Sequence, residues 1–125
     1  MYFFKIYFNK EEQRIKTDIV PYDLKMKKLE FFYKNIQCEY IDVVDVGNEY
    51  ELSIVCDDEG LLKSGNVVMD VYHESLKEPF SLAGALLIGK NINTDDGVEI
   101  EGFRSQMELM NEISKFKFEV RGITK

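Results

Sequence analysis

The chain has 125 residues, a net charge of −7 and 45% hydrophobic residues, among them nine Phe and seven Tyr. A folded chain of this mass buries about two thirds of its unfolded surface, so a core needs no metal or disulfide and the composition excludes intrinsic disorder. No apolar run reaches the roughly 18 residues of a membrane-spanning helix, and residues 1–8 lack the basic region and small-residue cleavage site of a secretion signal. The expectation is one cytoplasmic domain over residues 1–125 with no membrane partner.

In residues 2–9, Phe4, Ile6 and Phe8 fall on one face of a strand. The polar stretch 9–13 turns the chain, and Ile15, Thr17 and Ile19 continue the alternation, which predicts a hairpin with one buried face. Pro21 ends it, and Asp23 is the expected N-cap of a helix with Tyr22, Met26, Leu29, Phe32, Tyr33 and Ile36 at helical spacing. A second hairpin over 37–56 is expected to turn at Gly47-Asn48, a pair suited to a two-residue loop. That register sets Ile41 opposite Ile54 and Val43 opposite Leu52. It points Cys56 to the face of Ile54 and Cys38 to the other face, so both are expected as free thiols.

Leu61-Leu62 and residues 67–72 read as short strands, 80–88 as a central strand containing Gly84, and 91–97 as a polar loop. A second helix is expected within 98–114. Ser105 and Glu108 fit a capping box that delays its start, and Phe103, Met107, Met110 and Ile113 (or Leu109) turn inward. Phe116, Phe118 and Val120 alternate in a closing strand. The fold class is α+β, a largely antiparallel sheet built from hairpins with one or two helices packed on one face.

Charge is distributed unevenly. Residues 1–34 carry a net +3 and residues 35–114 a net −13, and 35–60 holds eight acids with no Lys or Arg. Asp42, Glu49 and Glu51 are expected to share the face opposite the apolar one, with Asp57, Asp58 and Glu59 extending the negative field. Such a surface repels phosphates, which excludes direct nucleic-acid binding, and attracts a basic protein. The same acids also keep a β-rich chain soluble and discourage edge-to-edge pairing.

Catalytic and metal constellations are incomplete. Residues 91–97 resemble the start of a calcium loop, but its sixth position is Asp96 where Gly is needed, and its twelfth is Gly102 where Glu is needed. His73 is the only histidine, and acids surround both cysteines in sequence, which disfavours an activated thiolate. No glycine-rich phosphate loop and no cofactor motif is present, so no cofactor is expected and an enzyme ranks last. A small-molecule or nucleotide-signal binder is the alternative to a protein-binding role. In that alternative Arg104 and Arg121 are the scarce cations able to hold a phosphate. A homo-oligomer formed through strand edges is compatible with either role.

Tyr40-Ile41-Asp42, Asp57-Asp58-Glu59-Gly60, Leu62-Lys63, Asn66 and the apolar stretch 82–88 around Gly84 follow one another in a recognisable order. Over residues 29–90 this order resembles an uncharacterised domain family of bacteriophages, plasmids and conjugative elements, whose pattern runs Val-Gly-Gly-Tyr-Ile-Glu and then Asn-Glu-Glu-Gly-Lys-Leu. Cys38-Glu39 stand where that family has Gly-Gly, and Asp57 where it has Asn. The resemblance implies a mobile-element origin and a bacterial host cytoplasm, and it implies no activity. The sequence therefore leads to a non-catalytic binding protein whose acidic surface engages a basic host protein.

Overall fold

The computed structural model of the chain describes residues 1–46 and 51–125. Its elements are β1 (Tyr2–Asn9), β2 (Arg14–Pro21), α1 (Lys28–Ile36), β3 (Ile41–Val46), β4 (Leu52–Asp57), β5 (Val67–His73), β6 (Phe80–Ala83), β7 (Leu86–Thr94), β8 (Gly97–Glu101), α2 (Gln106–Ile113) and β9 (Phe116–Ile123). The strands form two antiparallel sheets. One has the order β2-β1-β7-β4-β3 with β8 also paired to β7, and the other is β6-β5-β9. This is the α+β, hairpin-built architecture that the alternating sequence predicts.

Alternation in β1 decides the layering. Phe4 and Ile6 point into the core between the two sheets, where Leu52, Ile54, Cys56, Leu86 and Ile88 meet Val67, Met69 and Val71. Phe3, one residue out of phase, points to the opposite face and packs with Val55, Leu87 and Ile100 under Phe31, Phe32 and Ile36 of α1. Leu109 of α2 belongs to the inter-sheet core, so the two helices lie on different sides of the larger sheet.

The first hairpin has the expected register, with Phe8 opposite Ile15, Ile6 opposite Thr17 and Phe4 opposite Ile19. The second does not. Val44 faces Ile54, Val46 faces Leu52 and Ile41 faces Asp57. This shift places Val44 and Val46 on the core face with Leu52 and Ile54, where the two-residue loop would have turned them outward. The expected Gly47-Asn48 turn lies outside the described residues.

Four further expectations are corrected. The run 80–88 is two strands in different sheets. Between them Gly84 adopts φ 88° and donates its N–H to Val67 O, letting the chain change sheet where a side chain would be strained. Residues 91–97 are not a loop: Asn91 to Thr94 continue β7 and pair with β8 around a turn at Asp95-Asp96. Leu61 and Leu62 lie in a turn and are exposed, not in a strand. Asp23 does not cap α1. Its Oδ1 accepts from Lys25 N in a preceding turn, and the helix begins at Lys28 after Lys27, which makes no side-chain cap.

At α2 the cap is as expected, with Ser105 Oγ accepting from Glu108 N at 3.1 Å. Leu109, the expected alternative to Ile113, is fully buried and Ile113 packs against the same core, while Met107 and Met110 are exposed and are not core residues. Phe116 and Phe118 of β9 pack on the inter-sheet core, whereas Val120 is exposed.

Candidate functional site

The acidic residues of 35–60 do not form one continuous face. Asp42 shares the strand face of Val44 and Val46 and lies opposite Cys56, at the end of the hairpin where Asp57, Asp58 and Glu59 turn the chain. Glu51 lies at the other end, beside Leu52, with φ 50°. The two groups are separated by the length of the strands, about 15–20 Å. Glu49 lies outside the described residues. Asp42, Glu51, Asp58 and Glu59 are exposed, but Asp57 is not available for docking. Its carboxylate side chain is only 7% exposed and pairs with Lys63 Nζ at 2.6 Å.

A groove forms instead around Glu51. On the α1 side of the larger sheet, the ends of β3, β7 and β8 extend past the residues that the helix covers. Val43, Asp45, Glu51, Asn91, Asn93, Val98 and Ile100 line an opening of about 520 Å³. Pairing explains the convergence: Asp45 lies opposite Ser53, Ser53 opposite Gly89, Asn91 opposite Ile100, and Asn93 opposite Val98. The fully buried Ser53 places its hydroxyl 2.8 Å from Asp45 Oδ1 and 2.6 Å from Asn91 Oδ1, while Asn91 Nδ2 donates to Asp45 Oδ1 at 3.2 Å. The Asp45 carboxylate is thereby held in place at the strand surface. Both ionisable groups on the lining are acidic, and the apolar flanks Val43 and Val98 are 42% and 65% exposed. Asp45 was not singled out by the sequence, and Asn91 and Asn93 were read only as the start of an incomplete calcium-type loop. Their signal was the Asn-x-Asn alternation at 91–93, which fits a strand as readily as a loop.

Other candidates have different surroundings. Arg121 on β9 is engaged by Ser81 Oγ at 3.1 Å and Asp70 Oδ1 at 3.5 Å, on the smaller sheet. Arg104 lies in the exposed β8–α2 connection. His73 is buried at the end of β5, its Nδ1 accepting from Ser75 N at 3.1 Å and its ring 4.4 Å from Phe116. Burial holds its pKa below the ordinary histidine value.

The cysteines sit on opposite faces, as the sequence predicts. Cys56 belongs to the inter-sheet core, Cys38 packs on the α1 side, and both are free. Burial pushes the Cys56 thiol up to about 12, with the charges of Asp42, Asp57 and Asp58 adding to it. Burial, and then the Asp57 charge, also raises Cys38. In native protein at about pH 8, a thiol reagent should therefore label Cys38 slowly and leave Cys56 unlabelled until denaturant is added. Immediate labelling of both thiols would contradict this placement.

No group of three or more His, Cys, Asp or Glu side chains suited to a metal ion occurs among the described residues, and no helix among them is long and apolar enough to cross a membrane. No family model, curated protein or solved structure matches the chain.

Proposed function

We propose that the chain is a non-catalytic binding protein that engages a basic protein through the groove between the β3–β4 and β7–β8 hairpins. The observation that carries this reading is the fixed Asp45 carboxylate beside Glu51, flanked by exposed Val43 and Val98. An arginine or lysine side chain has the matching chemistry, an aliphatic stem for the valines and a cation for the acids. Asp42, Asp58 and Glu59, about 15–20 Å away at the far end of the hairpin, add a longer-range negative potential that speeds encounter with a cationic surface and repels nucleic acid. The resemblance of residues 29–90 to a mobile-element family supports placing that partner in a bacterial host.

An oligo-arginine peptide titrated calorimetrically tests the reading. Binding should weaken steeply as salt is added, because exposed charges are screened over about 10 Å at 0.1 M. Asp45→Lys with Glu51→Lys should weaken it by about tenfold or more, the equivalent of at least about 1.4 kcal/mol. Glu11→Lys with Asp18→Lys changes net charge equally on the distant β1–β2 hairpin and should leave most of the affinity. Equal losses from the two double variants would sink the groove as the docking site.

A further inference from the structure

A second opening lies at the other end of the larger sheet and has the opposite charge. Lys5, Tyr7 and Lys10 of the first hairpin, Asn35 and Gln37 at the end of α1, and Lys63, Asn66 and Gly84 from the sheet-to-sheet connections line a cleft of about 430 Å³. That volume falls within the roughly 300–1,000 Å³ typical of small-ligand sites. Asp57, the acid on the lining, is already neutralised by Lys63 at 2.6 Å. Lys5 and Lys10 form no ion pair within 4.0 Å among the described residues; Lys5 lies opposite Asp18 on β2 with its Nζ 5.2 Å from the Tyr7 ring centre, and the lining holds three lysines against the one acid, a net positive charge in a chain of net −7.

The wall that faces these lysines is built and braced. Asn66 Nδ2 donates to Gly60 O at 2.9 Å. A Cβ on Gly60 would fall 2.6 Å from Ala83 O, so the β4–β5 connection is pressed directly against the end of β6. Thr124 clamps the same segment. It donates its hydroxyl to Lys63 O, accepts from Asn66 N at 2.9 Å, and exchanges backbone bonds with Gly65 and Asn66. Gly65 and Gly84 hold left-handed conformations, and at Gly65 an added Cβ would meet nothing within 4 Å. A pre-braced wall with small residues lowers the ordering cost of a ligand that lies close to the backbone. The C-terminal end of α1 supplies negative potential here, so a ligand's charge is met by the lysines and not by the helix.

We infer that this cleft binds a small phosphate-bearing anion, with Lys5 and Lys10 as the cationic contacts and the Lys63–Gly65–Asn66 wall as the surface against which it rests. The sequence pointed to Arg104 and Arg121 for such a ligand, and the structure gives those two arginines separate surroundings. The inference is independent of the acidic groove.

Inorganic pyrophosphate added to ¹⁵N-labelled protein at low ionic strength tests it. Saturable amide shifts are expected at Gly65, Asn66, Gly84 and Ala85, with Kd of about 1 mM or tighter. Lys5→Gln with Lys10→Gln should raise Kd about tenfold or more while the spectrum stays dispersed. Lys25→Gln with Lys27→Gln, the same charge change on exposed residues before α1, should leave Kd within about twofold. Shifts that fail to saturate, shifts centred on Arg104 or Arg121, or equal weakening by both double variants would overturn it.

Discussion

Phe103→Ala is expected to cost about 3–5 kcal/mol of folding stability. Phe103 is fully buried in the inter-sheet core, in the cluster that holds Phe4, Ile6 and Leu109. Its backbone is fixed by two bonds to Tyr2, with Tyr2 N donating at 2.8 Å and Phe103 N donating at 2.7 Å. Those bonds keep the chain in place after truncation, so the surrounding side chains cannot collapse into the space and the cavity term adds to the lost burial. Urea unfolding should show a lower midpoint with little change in slope. Met107→Ala, at a position 83% exposed, should stay within about 0.5 kcal/mol. Comparable losses from the two variants would mean that α2 packs through Met107, contrary to this structure.

Gly89→Ala should be the most damaging single-methyl addition in the larger sheet, costing about 1–3 kcal/mol or more. A Cβ there would fall 2.8 Å from Glu101 O, 2.8 Å from Phe3 Cε1 and 2.9 Å from Ile100 Cγ2. The first of these is backbone of the paired strand β8, so relief requires β8 to separate from β7 or Phe3 to leave its place under α1. Gly122→Ala on β9 meets nothing within 4 Å and should be close to neutral. Thermal unfolding of the two variants checks the contrast, and a stable Gly89→Ala protein would show that β8 does not lie against β7 as described.

Parts of this fold were legible in the sequence and parts were not. The β1–β2 hairpin was legible because Phe4, Ile6 and Phe8 repeat at every second position and Ile15, Thr17 and Ile19 continue that period after a polar turn; the burial of Phe3 on the other face under α1 was not. The β3–β4 register was not, because Val43 and Val44 are apolar in succession and alternation cannot choose between them. In α2 Phe103 precedes the Ser105 cap and is not in the helix, so a helical phase that runs through it also turns Met107 and Met110 inward, and it left Leu109 only as the alternative to Ile113. The unbroken apolar run 80–88 concealed a change of sheet, because Gly84 is small in a strand and equally small in a turn. The site was hidden for a related reason. Asp45 and Asn91 are hydrogen-bonded across 46 positions of sequence, and their meeting depends on the register that alternation left open.

Amide shift mapping of the oligo-arginine peptide on ¹⁵N-labelled protein tests the acidic groove most directly. The account predicts saturable changes concentrated at Val43, Asp45, Ser53, Asn91, Asn93 and Val98, the residues that line or brace the opening. Changes spread evenly over Glu11, Asp18, Asp58, Asp95 and the other exposed acids, without saturation, would show only a diffuse negative surface and contradict a docking groove.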